Sequence, residues 1–103
     1  MDLQSLQRDV EAVSEFYARR HDIDRTDDWP ILKLHEEVGE LTQAYLARAG
    51  QARDKGRSPG ELETDFRAEM ADVLAQVLLL AERFNVDLVS EVDQKWLVWK
   101  PTG

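Results

Sequence analysis

The sequence predicts an all-α fold, with four helices forming one bundle-like domain over residues 1–103. Three observations lead there. Apolar residues recur at three- and four-residue intervals in four separate segments, and no strand-like alternation runs for more than a few residues. A chain of 103 residues with 43% hydrophobic and 33% charged content has material for one core and not for two. Helix-starting and helix-stopping residues fall between the segments, at Asp28-Trp29-Pro30, Gly50, Ser58-Pro59 and Asn85-Val86-Asp87.

The first helix is expected over residues 2 to about 21. Leu3, Leu6, Val10, Val13 and Phe16 or Tyr17 form a narrow apolar stripe, with Arg8, Glu11 and Glu15 outward. A polar connector follows to Asp28, read as the cap of a second helix from Trp29 to about Ala49 with proline in its first turn. Ile31, Leu34, Val38, Leu41 and Tyr45 line that helix. Gly39 in its middle costs about 1 kcal/mol against alanine, which close helix packing or room for a ligand would explain.

Residues 50–60 read as a flexible loop with Arg53, Lys55 and Arg57 as a basic cluster, able to close over phosphates or simply be solvated. Ser58-Pro59 followed by Glu61 matches a capping box that opens the third helix, to about Phe84. This is the most apolar helix. Phe66, Val73, Val77, Leu80 and Phe84 define a stripe, while Met70, Leu74, Leu78 and Leu79 extend it nearly all round, as in a central or interface helix. Arg67, Glu82 and Arg83 are expected to face solvent. Asn85 ends the helix, and Asp87 caps a fourth running to about Trp99, with Leu88, Val92, Trp96 and Trp99 on its buried side.

Two acidic pairs stand out within these helices: Glu37 and Glu40 on the second, Glu69 and Asp72 on the third. A spacing of three brings each pair to within about 60° of one helix face. At about 1.5 Å per residue, Glu40 stands about 14 Å before the turn at Gly50 and Glu69 about 15 Å after Pro59. An antiparallel hairpin therefore gathers all four carboxylates at one level. Glu69 also falls at the edge of the apolar face, where a carboxylate must be paired, protonated or bound to a cation. Like charges so gathered repel one another unless cations hold them or some take up protons, and a divalent ion is the simplest resolution.

Composition narrows the chemistry. The absence of cysteine excludes disulfides, zinc-thiolate sites and cysteine catalysis. Hard oxygen ligands without a well-placed histidine select Mg2+, or Mn2+, over zinc or iron, and neither acidic motif has the histidine three residues on that a di-iron bundle uses. A net charge of −8 argues against nucleic acid as a partner. No signal-like run or membrane span is present, so no membrane partner is expected and a cytoplasmic location is the default. Carboxylate-held magnesium with open positions binds phosphate oxygens and lowers the pKa of water, and without a glycine-rich phosphate cradle the ions must carry the polyphosphate. That chemistry points to nucleotide hydrolysis.

Glu36-Glu37-x-x-Glu40 followed by Glu69-x-x-Asp72 resembles the two-part signature of the MazG-like, all-α nucleoside triphosphate pyrophosphohydrolases. Glu37-Val38-Gly39-Glu40-Leu41, Asp72-Val73-Leu74 and Asn85-Val86-Asp87-Leu88 are similar too, so the resemblance covers roughly residues 29–95. It implies cleavage of a (d)NTP between the α and β phosphates, to (d)NMP and pyrophosphate, possible work in nucleotide-pool sanitation, and a bundle completed by dimerisation in a homodimer or homotetramer. Glu37, Glu40, Glu69 and Asp72 match the family's metal ligands. Glu36 matches an extra first glutamate that binds a further ion, orients the attacking water or stays in solvent.

Other positions match less closely. The chain has Lys95 and Trp99-Lys100-Pro101 where relatives carry a lysine or asparagine near the last helix and a closing lysine-tyrosine-proline. Lys95 is therefore one candidate phosphate contact. Lys33 is another, with an ion pair one turn on as the cheaper explanation. Trp29, Phe16, Tyr17 and His21 are candidates for base stacking, against an ordinary core role. Two alternatives remain at this stage: a phosphoribosyl-ATP pyrophosphohydrolase with the same metal logic, and a non-catalytic acidic interaction module whose glutamates are solvated or ion-paired.

Overall fold

A computed structural model describes residues 1–102. Its elements are α1 (Leu3–Arg20), α2 (Trp29–Arg48), α3 (Pro59–Arg83), α4 (Leu88–Lys95) and a 3-10 turn, Leu97–Trp99, with no strand among the described residues. The chain divides into two compact units: a terminal unit of Met1–Ile23 with Leu78–Gly103, and a central unit of Asp24–Val77. The long helix α3 begins in the central unit and ends in the terminal one.

Local chemistry sets the helix limits. The Asp2 side chain accepts from the Ser5 amide at 2.7 Å, and the Asp87 side chain accepts from the Ser90 amide at 3.1 Å. Ser58 and Glu61 form the expected reciprocal box: the Glu61 amide donates to Ser58 Oγ at 3.2 Å, and the Ser58 amide donates to Glu61 Oε1 at 2.9 Å. Three helices end alike, on a left-handed residue: Asp22 (φ 54°), Gly50 (φ 77°) and Asn85 (φ 55°). In each case the next amide reaches back five residues, Ile23 to Ala18, Gln51 to Leu46 and Val86 to Ala81, all at 2.8 Å, satisfying a terminal carbonyl.

Two boundaries differ from expectation. Asp28 is already right-handed helical (φ −78°, ψ −20°), and its side chain makes no capping bond; α2 is opened by Pro30 and the Leu32 amide donating to the Asp28 carbonyl. The fourth helix stops at Lys95, and Trp96 turns the chain into the short 3-10 segment.

The core is small. Ala18, Leu78, Leu79 and Ala81 are the buried apolar side chains of the terminal unit, with Leu78 only 1% exposed. In the central unit Pro30 is buried, Tyr45 and Phe66 face each other at 6.3 Å, and the Arg48 guanidinium lies 5.0 Å from the Phe66 ring centre while pairing with Glu63. Much of the predicted apolar surface is uncovered. Val13, Phe16 and Tyr17 of α1, Ile31, Val38 and Tyr45 of α2, and Met70, Leu74 and Phe84 are exposed. The side of the fourth helix expected to be buried is the clearest correction: Val92 is exposed, as are Trp96 at 68% and Trp99 at 82%. Periodicity identifies an apolar face, but it does not say whether another element packs against that face. Glu82, expected in solvent, is half-buried and accepts from Gln7 Nε2 at 2.7 Å.

Candidate metal centre

Helices α2 and α3 of the central unit carry the acidic pairs, joined by residues 49–58. One carboxylate oxygen each from Glu37, Glu40 and Glu69 lies within 4.8 Å of the other two, the only such group of three or more potential metal ligands among the described residues. Glu37 and Glu69 are half-buried and Glu40 is exposed. The expected convergence of the two helices is therefore met by three of the four acids.

Asp72 stands outside that group and is exposed. Its side chain is one methylene shorter than glutamate, so its carboxylate stays nearer its own helix. Its charge still acts on the cluster, raising the pKa of both Glu37 and Glu69.

The electrostatics are those of crowded acids. Burial, first of all, pushes the Glu37 carboxyl from its usual 4.5 up to about 7, aided by the charges of Glu40 and Asp72, a hydrogen bond with Glu40, and the charge of Glu69. Glu69 is raised too, by burial and then by Glu40, Asp72 and Asp65. Glu37 Oε2 and Glu69 Oε2 are both shielded from solvent and have no hydrogen-bond partner. Burying a carboxylate oxygen without a partner is costly, and a proton or a cation between the helices relieves it. Three carboxylate oxygens within 4.8 Å of one another are hard donors of the kind that bind magnesium or manganese, and side-chain adjustment would have to bring them closer to share one ion. The donor set therefore fits a hard divalent cation.

The remaining predicted residues are distributed unevenly. Glu36 is exposed and accepts from Lys33 Nζ at 3.1 Å, so Lys33 is committed to the residue three positions on and not to Glu37. The Lys33 pKa is raised mainly by that bond, with Coulombic help from Glu36, Glu37 and Glu40. Trp29 is half-buried as the first residue of α2. Lys95 is exposed in the last turn of α4, in the terminal unit. In that same unit Tyr17 packs on His21 with ring centres 4.3 Å apart, and Phe16 is exposed. His35 Nδ1 lies 2.9 Å from the Ile31 carbonyl, which keeps the ring on its own helix and out of the cluster. A Cβ at Gly39 meets nothing within 4 Å, so close helix packing does not account for this glycine.

A cavity of about 400 Å³ opens beside the cluster, with Glu40, Glu69 and Asp65 on its helical walls and Arg53 and Lys55 on the loop. The basic loop residues were readable in the sequence, but their sharing of one cavity with Glu40 and Glu69 was not, because it depends on how the loop folds back. Cavities of about 450 and 460 Å³ in the terminal unit, beside Gln7 and Glu82 and beside Asp93 and Leu97, contain no such acidic group. Compared with protein-family models, curated proteins and solved structures, the chain finds no match in any of the three. No helix among the described residues is long and apolar enough to cross a membrane.

Proposed function

We propose that this chain is a magnesium-dependent nucleoside triphosphate pyrophosphohydrolase, converting a (d)NTP to (d)NMP and pyrophosphate. The observation that carries this reading is the meeting of Glu37, Glu40 and Glu69 from two helices, with two of their oxygens buried and unpartnered. The resemblance of Glu36-Glu37-x-x-Glu40 and Glu69-x-x-Asp72 to the MazG-like signature supplies the reaction class.

Glu37, Glu40 and Glu69 would hold the ion, with Asp72 outside the group adding its charge. A bound divalent cation supplies phosphate binding, a more acidic water and neutralisation of charge developing on the phosphates. Glu37 would hold such an ion in its carboxylate form, the only form of the side chain that is a ligand. Glu36 is exposed and pairs with Lys33 at 3.1 Å, and its place in the signature makes it a candidate for orienting a water.

The test is product analysis after incubation with Mg2+ and a panel of common nucleoside triphosphates and phosphoribosyl-ATP. Monophosphate and pyrophosphate from the ordinary nucleotides are expected. Diphosphate with phosphate, or no turnover of any member of the panel, overturns the proposal; turnover of phosphoribosyl-ATP alone selects the related enzyme.

Self-association belongs to the same reading. So many exposed large apolar side chains on a chain of this size, Trp96 and Trp99 among them, are the surface of a subunit. Sedimentation at micromolar concentration is expected to give about 24 or 48 kDa, two or four times 11.9 kDa. A single 11.9 kDa species rules the oligomer out.

A further inference from the structure

Four cations flank the turn between α2 and α3, and they are not equivalent. Arg48 donates to both oxygens of Glu63, at 2.7 and 3.3 Å. Arg57 donates to both oxygens of Asp65, at 3.0 and 2.7 Å, and to Glu61 at 3.3 Å. These two side chains are used in holding the hairpin together. Arg53 and Lys55 make no ion pair or side-chain hydrogen bond among the described residues, although Asp54, Asp65, Glu40 and Glu69 line the same cavity.

The segment that carries them is shaped rather than slack. Asp54 Oδ1 accepts from the Gly56 amide at 2.9 Å, Lys55 and Gly56 are both left-handed (φ 54° and 80°), and Arg57 ties the end of the turn to α3. Lys55 accepts a conformation that costs an L-residue about 1 kcal/mol or more. The outcome is a cavity of about 400 Å³ lined both by Glu40 and Glu69 of the acidic cluster and by two uncommitted cations, Arg53 and Lys55.

We infer that Arg53 and Lys55 form an anion subsite for the distal phosphates of a polyphosphate chain whose near phosphates sit on the cation held by Glu37, Glu40 and Glu69. The inference rests on the metal reading above and adds to it which part of the substrate lies where. A cation at the acidic wall offsets its repulsion of phosphate, and the two basic side chains take the part of the chain that extends beyond it. The ligand class is a metal-chelated triphosphate or diphosphate, free or attached to a nucleoside. A monophosphate has no distal phosphate to offer the two cations, so it is the control ligand.

Calorimetric titration of inorganic triphosphate, a nucleoside triphosphate and a nucleoside monophosphate in the presence of Mg2+ tests this, on wild type, Arg53→Ala/Lys55→Ala and the charge-keeping Arg53→Lys/Lys55→Arg. Mn2+ binding to each protein is measured separately by electron paramagnetic resonance. The alanine pair should weaken both triphosphates about tenfold or more, equal to about 1.4 kcal/mol, while leaving Mn2+ and monophosphate affinity within about twofold, and the charge-keeping pair should restore most of the loss. If both triphosphates bind the alanine pair as they bind wild type, or if wild type takes Mn2+ but no triphosphate, the subsite is wrong and the metal centre stands. If wild type binds triphosphate equally well without metal and the alanine pair loses it, the subsite stands and the metal reading falls. A wild type that binds neither Mn2+ nor triphosphate overturns both. A nucleoside triphosphate weakened alongside inorganic triphosphate identifies the nucleotide as a ligand of the subsite; inorganic triphosphate alone identifies a free polyphosphate.

Discussion

Glu40→Gln is expected to lower kcat/KM for magnesium-dependent pyrophosphate release by at least about 10³-fold, a loss of about 4 kcal/mol of transition-state stabilisation, and to leave the helices intact. Glutamine keeps the shape and loses the charge, and Glu40 is the exposed member of the cluster, so no core contact depends on it. The same substitution should make the metal-free protein more stable. Glu40 is the leading charge acting to raise Glu37 and also Glu69, after the burial of each. Removing it lets both carboxylates ionise more easily and relieves repulsion between α2 and α3. A rise in Tm of about 2–5 °C in EDTA at pH 8, read by circular dichroism, is the expected size for a gain of under about 1 kcal/mol in a domain of this length. Activity lost while stability is gained marks a residue kept for function at a cost to the fold. Full activity in Glu40→Gln removes the cluster from the chemistry, and a fall in Tm in EDTA removes the repulsion on which its metal reading depends.

The sequence was most informative where local chemistry decides the outcome. Helix limits follow from Gly50, Asn85 and the Ser58–Glu61 box, since each acts through its own backbone within a few residues. The meeting of Glu37 and Glu40 with Glu69 was readable too, because two spacings of three and a short turn leave a hairpin little freedom. Asp28 shows where such reasoning stops: a capping residue type precedes Trp29-Pro30, but its backbone is already helical, so the side chain does not take the capping role. Trp96 and Trp99 fail for another reason. An apolar spacing marks a face and not what packs against it, and the structure leaves both side chains exposed. Asp72 and the loop cations depend on finer detail, the length of one side chain and the choice of Arg57 over Arg53 for pairing with Asp65, which no periodicity encodes.

The second large effect is a dependence of stability on pH that reverses when metal is added. Glu37 titrates near 7 in the folded chain against an ordinary 4.5, and Glu69 is raised as well. A carboxyl with a raised folded pKa binds its proton more tightly in the native state. Its stabilising share is therefore complete below about 4.5 and is lost as pH rises through about 7. In EDTA, Tm is expected to fall between pH 5 and pH 8. Magnesium competes with those protons, so its affinity should grow across the same window. At a concentration about 100 times Kd, binding adds about 2.7 kcal/mol, which corresponds to about 10 °C or more in Tm for a domain of this size. The difference between Tm in Mg2+ and in EDTA should be small at pH 5 and near its maximum at pH 8, and Glu40→Gln should shrink both the pH slope and the magnesium increment. Sodium at matched ionic strength separates site binding from general screening of a chain with net charge −8, because screening stabilises wild type and Glu40→Gln to a similar degree. Equal increments from the two salts at pH 8 would mean that the acids of α2 and α3 share protons and hold no ion.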